Sequence, residues 1–272
     1  MTAFAGFDSS AYPGDAVMRW LRAKTNLVWC GYYFGKTPSH PGTSWMGKRA
    51  LLKGLNWGIA PLYVGQQTIG PGSQHTDGAH GAVDGKDAAR FMSHEGFDSG
   101  SVVYLDLENG LPFPQKQKDY VKAWCGAVQQ AGFTSGVYCS HSFAAQVATL
   151  VPAALLWAFK VPSTVVHKVP GPHYPDPSPA GSGYPGAFIW QLDQQCLIDA
   201  SGAPSGTLEV DLDSASTPNP SIARTNFALD PARDNLWAAN LVSAGALGAT
   251  PSGARSRGQT RAAPRPRRKK SS

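Results

Sequence analysis

The stretch Val102-Val103-Tyr104-Leu105-Asp106-Leu107-Glu108-Asn109 decides the reading of this chain. Its first four residues are apolar and rich in β-branched and aromatic types, the pattern of a strand buried on both faces, and acidic residues follow at once. A buried strand that ends in carboxylates is what a parallel barrel presents at its C-terminal face. Asp106 and Glu108 are two apart on such a strand. They point to the same side, with Cα atoms about 6.5 to 7 Å apart.

Working outward, similar runs recur through the first 215 residues: 3–8, 26–34, 57–64, 101–108, 134–139, 155–161, 187–192 and 208–212. Between them, 15–24, 45–53, 84–94, 115–130 and 141–150 carry helix-compatible patterns. Alternating strands and helices imply parallel strands joined by crossovers. Eight strands over this length predict an α/β fold, a (β/α)8 TIM-like barrel. A doubly wound open sheet is the alternative. It is disfavoured because Asp8-Ser9-Ser10, and no glycine-rich nucleotide fingerprint, follows the first strand. The Pro- and Gly-dense segment 162–185 reads as a long loop in place of the sixth helix. The predicted organisation is a barrel over 1–216, a helical segment over 217–243 that packs on or beside it, and a tail over 244–272.

The 272 residues are 42% apolar and 15% charged, enough to bury a full core. The net charge of +6 is concentrated in the tail, which holds eight Lys or Arg and no acid, so the rest of the chain carries −2. That tail has almost no large apolar side chain and is expected to be disordered. It reads equally as a contact for a polyanion or as a solubilising terminus. The start, Met1-Thr2-Ala3-Phe4, has neither the basic residues nor the long apolar stretch of a secretory leader. The expected location is therefore the cytoplasm, or outside it by a non-Sec route. No run reaches the roughly 18 apolar residues of a membrane span. A monomer is expected. Cys30, Cys125, Cys139 and Cys196 form no CxxC and are expected to be free thiols, Cys196 being the reactive candidate because its surroundings are polar.

The predicted strand ends are acidic: Asp8, Asp106 with Glu108, Asp193, and Asp211 with Asp213. Two close carboxylates cannot both ionise freely, so one keeps its proton near neutral pH, as a general acid requires. Cleavage of a glycosidic bond uses such a pair. An isolated Asp-x-Glu is also found as a solvated loop start or a helix cap, and the convergence of Asp8 and Asp211 on the same face argues for a site. Glu108 and Asp106 are the candidate catalytic residues. Asp8, Asp211, Tyr63, Tyr138, Trp157, Trp190 and Gln191 are the candidate substrate-binding residues, the aromatics serving to stack on sugar faces. His75, Asp77, His80 and Asp84 match no standard zinc spacing, so neither a metal nor another cofactor is expected. No GxSxG or Walker loop occurs.

Five pieces in order carry a resemblance: Gly6-Phe7-Asp8-Ser9-Ser10, Val103 to Glu108, Gly136-Val137-Tyr138-Cys139-Ser140, Ile189-Trp190-Gln191, and Val210-Asp211-Leu212-Asp213. Over residues 1 to about 216 the chain resembles a glycoside-hydrolase-like TIM-barrel domain of unknown function that is related to the family-25 lysozymes. The resemblance implies cleavage of a β-1,4 bond in peptidoglycan or a similar N-acetylated glycan. It implies Glu108 as general acid/base and Asp106 as its electrostatic partner, orienting the substrate's acetamido group as nucleophile. Asp8 and Asp211 match the family's other site acids. The same residues would also serve a catalytically silent glycan-binding barrel.

Overall fold

A computed structural model describes residues 2–68, 75–162, 165–200 and 206–222. The tail over 244–272, and all but the first six residues of the segment 217–243, lie outside the described residues. The elements run β1 (Phe4–Asp8), α1 (Asp15–Lys24), β2 (Trp29–Tyr33), α2 (Arg49–Gly54), β3 (Gly58–Val64), α3 (Gly78–His94), β4 (Val102–Asp106), α4 (Gln115–Gln130), β5 (Thr134–Ser140), α5 (Ala144–Leu150), β6 (Leu155–Phe159), β7 (His167–Val169), β8 (Ile189–Ala200) and β9 (Gly206–Ala215).

Eight strands close a barrel in the order β1-β2-β3-β4-β5-β6-β8-β9, and β7 is an outer strand added to the far end of β8. Strands β1 to β6 and β8 are parallel, as expected for buried apolar runs joined by crossovers. The last strand departs from a regular (β/α)8 arrangement. β9 runs antiparallel to both β8 and β1, and the barrel is mixed. Its reversal has a local cause: β8 continues past its contact with β6 and joins β9 as a hairpin, leaving no length for a helical crossover. The loop expected over 162–185 also holds β7 and a 3-10 turn at Pro179–Ser182.

Two apolar layers hold the fold. Inside the barrel, Trp157 sits edge-on to Trp29, Tyr104 and Tyr138 at centroid distances of 5.5, 5.6 and 5.5 Å. Outside, the opposite faces of the strands pack on the helices, with Tyr63 against Phe91 and Trp124. The helix expected from residue 84 begins earlier, at Gly78, capped by Asp77 through the His80 N–H at 3.0 Å. Its glycines do not interrupt it. A Cβ at Gly81 would lie 2.3 Å from the Tyr120 carbonyl oxygen, so the glycine lets α3 lie directly on α4.

Residues 217–222, expected to open a helix, instead close the lower end of the barrel. The Asn219 side chain accepts the Ile59 N–H at 3.0 Å, the Pro220 carbonyl accepts the Tyr104 hydroxyl at 2.9 Å, and the Ser221 carbonyl accepts the Val102 N–H at 2.8 Å. Among the described residues, no helix is long and apolar enough to cross a membrane. The four cysteines are free and buried. Cys196 is fully covered and burial raises its thiol pKa, which disfavours the free reactive thiolate expected there.

Candidate functional site

The upper end of the barrel holds a deep acidic well. It forms because β1 and β4 end there in Asp8 and Asp106, and because the register of β9 sets Asp211 opposite Asp8 and Asp213 opposite Gly6. Asp8, Asp106 and Asp213 are buried, whereas Glu108, two residues past Asp106, is exposed at the rim. A narrow cavity of about 40 Å³ is lined by Asp8, Asp106, Glu108 and Asp211 together with Tyr33, Tyr138, Trp157 and Gln191. Beside it runs a cleft of about 390 Å³ bounded by Asp8, Tyr33, His40, Glu108, Glu209 and Asp211 among others. A larger cleft, about 510 Å³, lies across β3 beside Tyr63, Asp87 and Arg90. None of the well's four aspartates, nor Glu108, reaches it, and the smaller cleft is the chemically equipped one.

A continuous hydrogen-bond network fixes these groups. Tyr33 donates its hydroxyl to Asp8 Oδ1 at 2.5 Å. Gln191 donates to Asp211 Oδ2 at 2.8 Å and to Asp8 Oδ2 at 3.3 Å, and it accepts the Tyr138 hydroxyl at 2.7 Å. Trp157 donates its indole N–H to Asp213 Oδ1 at 3.0 Å, and the Gln195 N–H reaches Asp211 Oδ1 at 2.8 Å. Gln67 clamps the acidic pair through the backbone. Its amide nitrogen donates to the Asp106 carbonyl at 3.0 Å, and its oxygen accepts the Glu108 N–H at 3.1 Å. One buried carboxylate oxygen of the acidic pair, Asp106 Oδ1, has no hydrogen-bond partner among the described residues.

Burial is the main reason these acids hold their protons. It raises Asp106 well above the usual carboxylate range, and the charges of Glu108, Asp8 and Asp211 add to it. Asp213 is raised likewise by burial and by Asp8, to which it donates a hydrogen bond. Asp8 is raised by burial while its bonds from Tyr33, Asp213 and Gln191 pull the other way, and Asp211 is pushed up to about 7. The acids titrate as a coupled set and carry fewer negative charges near neutral pH than their number. Such a set gains charge readily when a positive centre forms beside it.

The structure brings together Asp8, Asp106, Glu108, Tyr138, Trp157, Gln191 and Asp211. It does not bring Tyr63 and Trp190. Tyr63 is turned outward, its hydroxyl 3.4 Å from Asp87 on α3. Trp190 alternates with inward Gln191 and donates its indole N–H to the Lys160 carbonyl outside. Tyr33, a strand-end aromatic passed over in favour of Tyr63 and Trp190, is at the site, and so are His40, Gln67 and Gln195, which the sequence did not single out. Tyr33 stands at a strand end, a signal open to sequence reading, whereas Gln67 acts from a loop that carries no pattern. His75, Asp77, His80 and Asp84 serve α3 and its neighbours: His75 stacks on His80 at 4.6 Å, and Asp84 accepts from Tyr120 at 2.8 Å and Gln66 at 3.1 Å.

Among solved structures, the chain is similar to an uncharacterized protein of B. stearothermophilus, with 16% identity and a TM-score of 0.54 over 78% of this chain and 96% of that one. It is also similar to the Tat-secreted protein Rv2525c of Mycobacterium tuberculosis, solved with L-tartrate, with 17% identity and a TM-score of 0.53 over 80% and 96%. A bacterial lysozyme from Streptomyces coelicolor matches at 12% identity and a TM-score of 0.49 over 79% and 92%. No curated protein matches the sequence. The first two likenesses show the fold alone. The family model described as "Rv2525c-like, glycoside hydrolase-like domain" matches residues 20–183, more than half of the sequence, and the chain belongs to that family.

Proposed function

We propose that the protein is a glycoside hydrolase that cleaves peptidoglycan or a similar N-acetylated glycan, with Glu108 as general acid/base and Asp106 as its partner. The observation that carries this reading is Asp106 Oδ1, a buried carboxyl oxygen without a protein partner at the floor of a cavity whose rim holds Glu108. An unpaired buried acceptor costs about 1–3 kcal/mol, and a ligand donor that reaches it recovers this. The acetamido N–H of a bound N-acetylhexosamine is such a donor. Held there, the acetamido carbonyl oxygen can attack the anomeric carbon from within the substrate, so the protein need supply no nucleophile of its own. Glu108 then protonates the leaving oxygen and afterwards takes a proton from the incoming water. Asp8, which accepts a hydrogen bond from protonated Asp213, and Asp211 supply negative potential to the oxocarbenium-like centre. Tyr33, Tyr138 and Trp157 wall the cavity on its apolar sides.

The test is release of reducing ends from purified peptidoglycan. Glu108→Gln should abolish release while the far-UV spectrum and glycan retention in a pulldown stay unchanged. Turnover by that variant equal to wild type overturns the assignment. Retention of glycan without release by the wild type would identify a binding barrel instead.

A further inference from the structure

A second cluster of chemistry-bearing side chains stands apart from the well, on the part of the β8–β9 hairpin that continues past barrel closure. β8 meets β6 only as far as Gln191, and β1 meets β9 only as far as Asp211. Beyond those points, His167 of β7 is the register partner of Cys196 on β8. Asp193 and Cys196 are three apart, a spacing that sends side chains to opposite faces of a regular strand. Register shifts on either side of Asp193, with Gln195 in the left-handed region at φ 55°, break that alternation. The result is one nitrogen, one carboxylate oxygen and one sulfur within 4.8 Å of one another.

We propose that His167, Asp193 and Cys196 bind a zinc ion through Nε2, Oδ2 and Sγ, with water in the fourth position. The hydrogen bonds already select these atoms. His167 Nδ1 lies 2.9 Å from the Val165 carbonyl, which can only accept, so Nδ1 carries the proton and the lone pair of Nε2 is turned inward. Asp193 Oδ1 is engaged by the Gln194 N–H at 3.0 Å, leaving Oδ2 to face Nε2 at 2.9 Å. Two acceptors at that distance require a cation between them. A proton on Nε2 satisfies the pair, and the Cys196 thiol hydrogen-bonds to Asp193; a metal would replace the Nε2 proton and the thiol proton and use all three donors.

The donor set names the ion. Magnesium and calcium take oxygen ligands, while a thiolate, an imidazole and a carboxylate together suit tetrahedral zinc. With bonds of about 2.0 to 2.3 Å, donors around such an ion stand roughly 3.3 to 3.6 Å apart; here Nε2 and Oδ2 are 2.9 Å apart and all three donors lie within 4.8 Å, so small side-chain shifts would seat the ion. Entry is open on one side: the His167 side chain is 36% exposed and Asp193 16%, while Cys196 closes the inner side. The ion would fix the bulge whose Gln195 N–H holds Asp211, joining the hairpin to the wall of the well. This site stands independently of the glycan reading.

The experiment uses the untagged full chain, reduced and stripped with a chelator, then titrated with Zn2+ by calorimetry and with Co2+ by absorption spectroscopy. One equivalent of Zn2+ should bind, and the Co2+ form should show a thiolate-to-cobalt charge-transfer band. Loss of an outer partner alone weakens a metal site about 10- to 100-fold, so His167→Gln and Cys196→Ala should each cost about 100-fold or more. Cys196→Ala should also lose the band. Asp106→Asn should bind Zn2+ as wild type does. His167 lies on an outer strand and is half-buried, so its variant decides the matter even where Cys196→Ala fails to fold. No saturable Zn2+ binding, an affinity unmoved by His167→Gln, or a Co2+ spectrum without the thiolate band overturns the site. Weakening in Asp106→Asn overturns it too, since the ion would then belong to the acidic well.

Discussion

Replacing Asp211 by Asn tests the electrostatic loading of the well more directly than any activity measurement. Asp211 is raised from 3.8 to about 7, first by burial and then by the charge of Asp8. Ionising such a group in the folded state costs about 4 kcal/mol relative to the unfolded chain. The sign follows from proton counts: between pH 4 and 7 the folded state holds the proton more tightly, so stability falls as pH rises through this window and levels off above it. Asn removes that loss. It also weakens two bonds to the charged carboxylate, from the Gln195 N–H and from Gln191 Nε2, by about 1 kcal/mol each. The Gln191 amide must rotate to face the new carboxamide. The variant should therefore be equal to wild type or about 1 kcal/mol less stable at pH 4, and about 2 kcal/mol more stable at pH 8. Urea unfolding at intervals from pH 4 to 8 measures this as a growing shift in midpoint at constant slope. A midpoint difference that does not change with pH refutes the raised pKa. Lower stability of the variant at pH 8 would mean that the hydrogen bonds outweigh the cost of ionisation.

Other perturbations follow from the same geometry. Gln67→Ala cuts both ties to the Asp106–Glu108 backbone and should lower kcat for glycan cleavage at least tenfold with little change in melting temperature, read from initial rates and thermal unfolding. Gly6→Ala would place a Cβ 2.1 Å from the Trp29 ring and should destabilise by about 3 kcal/mol or more, seen as a lower urea midpoint. Trp157→Phe removes the indole N–H that donates to Asp213 Oδ1 and should cost about 1–3 kcal/mol by the same assay. The four thiols should react with an aromatic disulfide reagent only on unfolding, since all are buried and burial pushes Cys125 and Cys139 up to about 12.

Much of the fold was open to reading because β1 to β6 are short apolar runs separated by amphipathic helices, and closed parallel barrels have few ways to assemble such a pattern. The convergence of Asp8, Asp106 and Asp211 followed from asking what each strand ends with. Strand direction was less visible. The apolar runs at 187–192 and 208–212 look alike from either end, but the Gly-, Pro- and Ser-rich stretch 201–206 between them is a hairpin signal that outweighs the repeat. Trp190 and Gln191 were both expected at the site, yet neighbours on a strand face opposite sides, so one had to leave. Tyr63 fails by the same parity, because Leu62 lines the well. Gln67 could not have been found, since its role depends on which loop lies beside β4.

The reversal of β9 also explains how four acids at different depths arise from two short motifs. On β4 the chain climbs toward the mouth, so Asp106 comes first and deep and Glu108 second and at the rim. On β9 it descends, so Asp211 comes first and shallow, and Asp213 follows beneath it, fully buried beside Gly6. A ninth strand running the other way would put Asp213 above Asp211 and remove the carboxyl that Trp157 holds at depth. The antiparallel strand is therefore part of the site's chemistry. It places protonated Asp213 at the bottom of the well while leaving Asp211 beside Asp8, where, on the proposed reading, loss of a proton near neutral pH can follow the charge of a bound glycan.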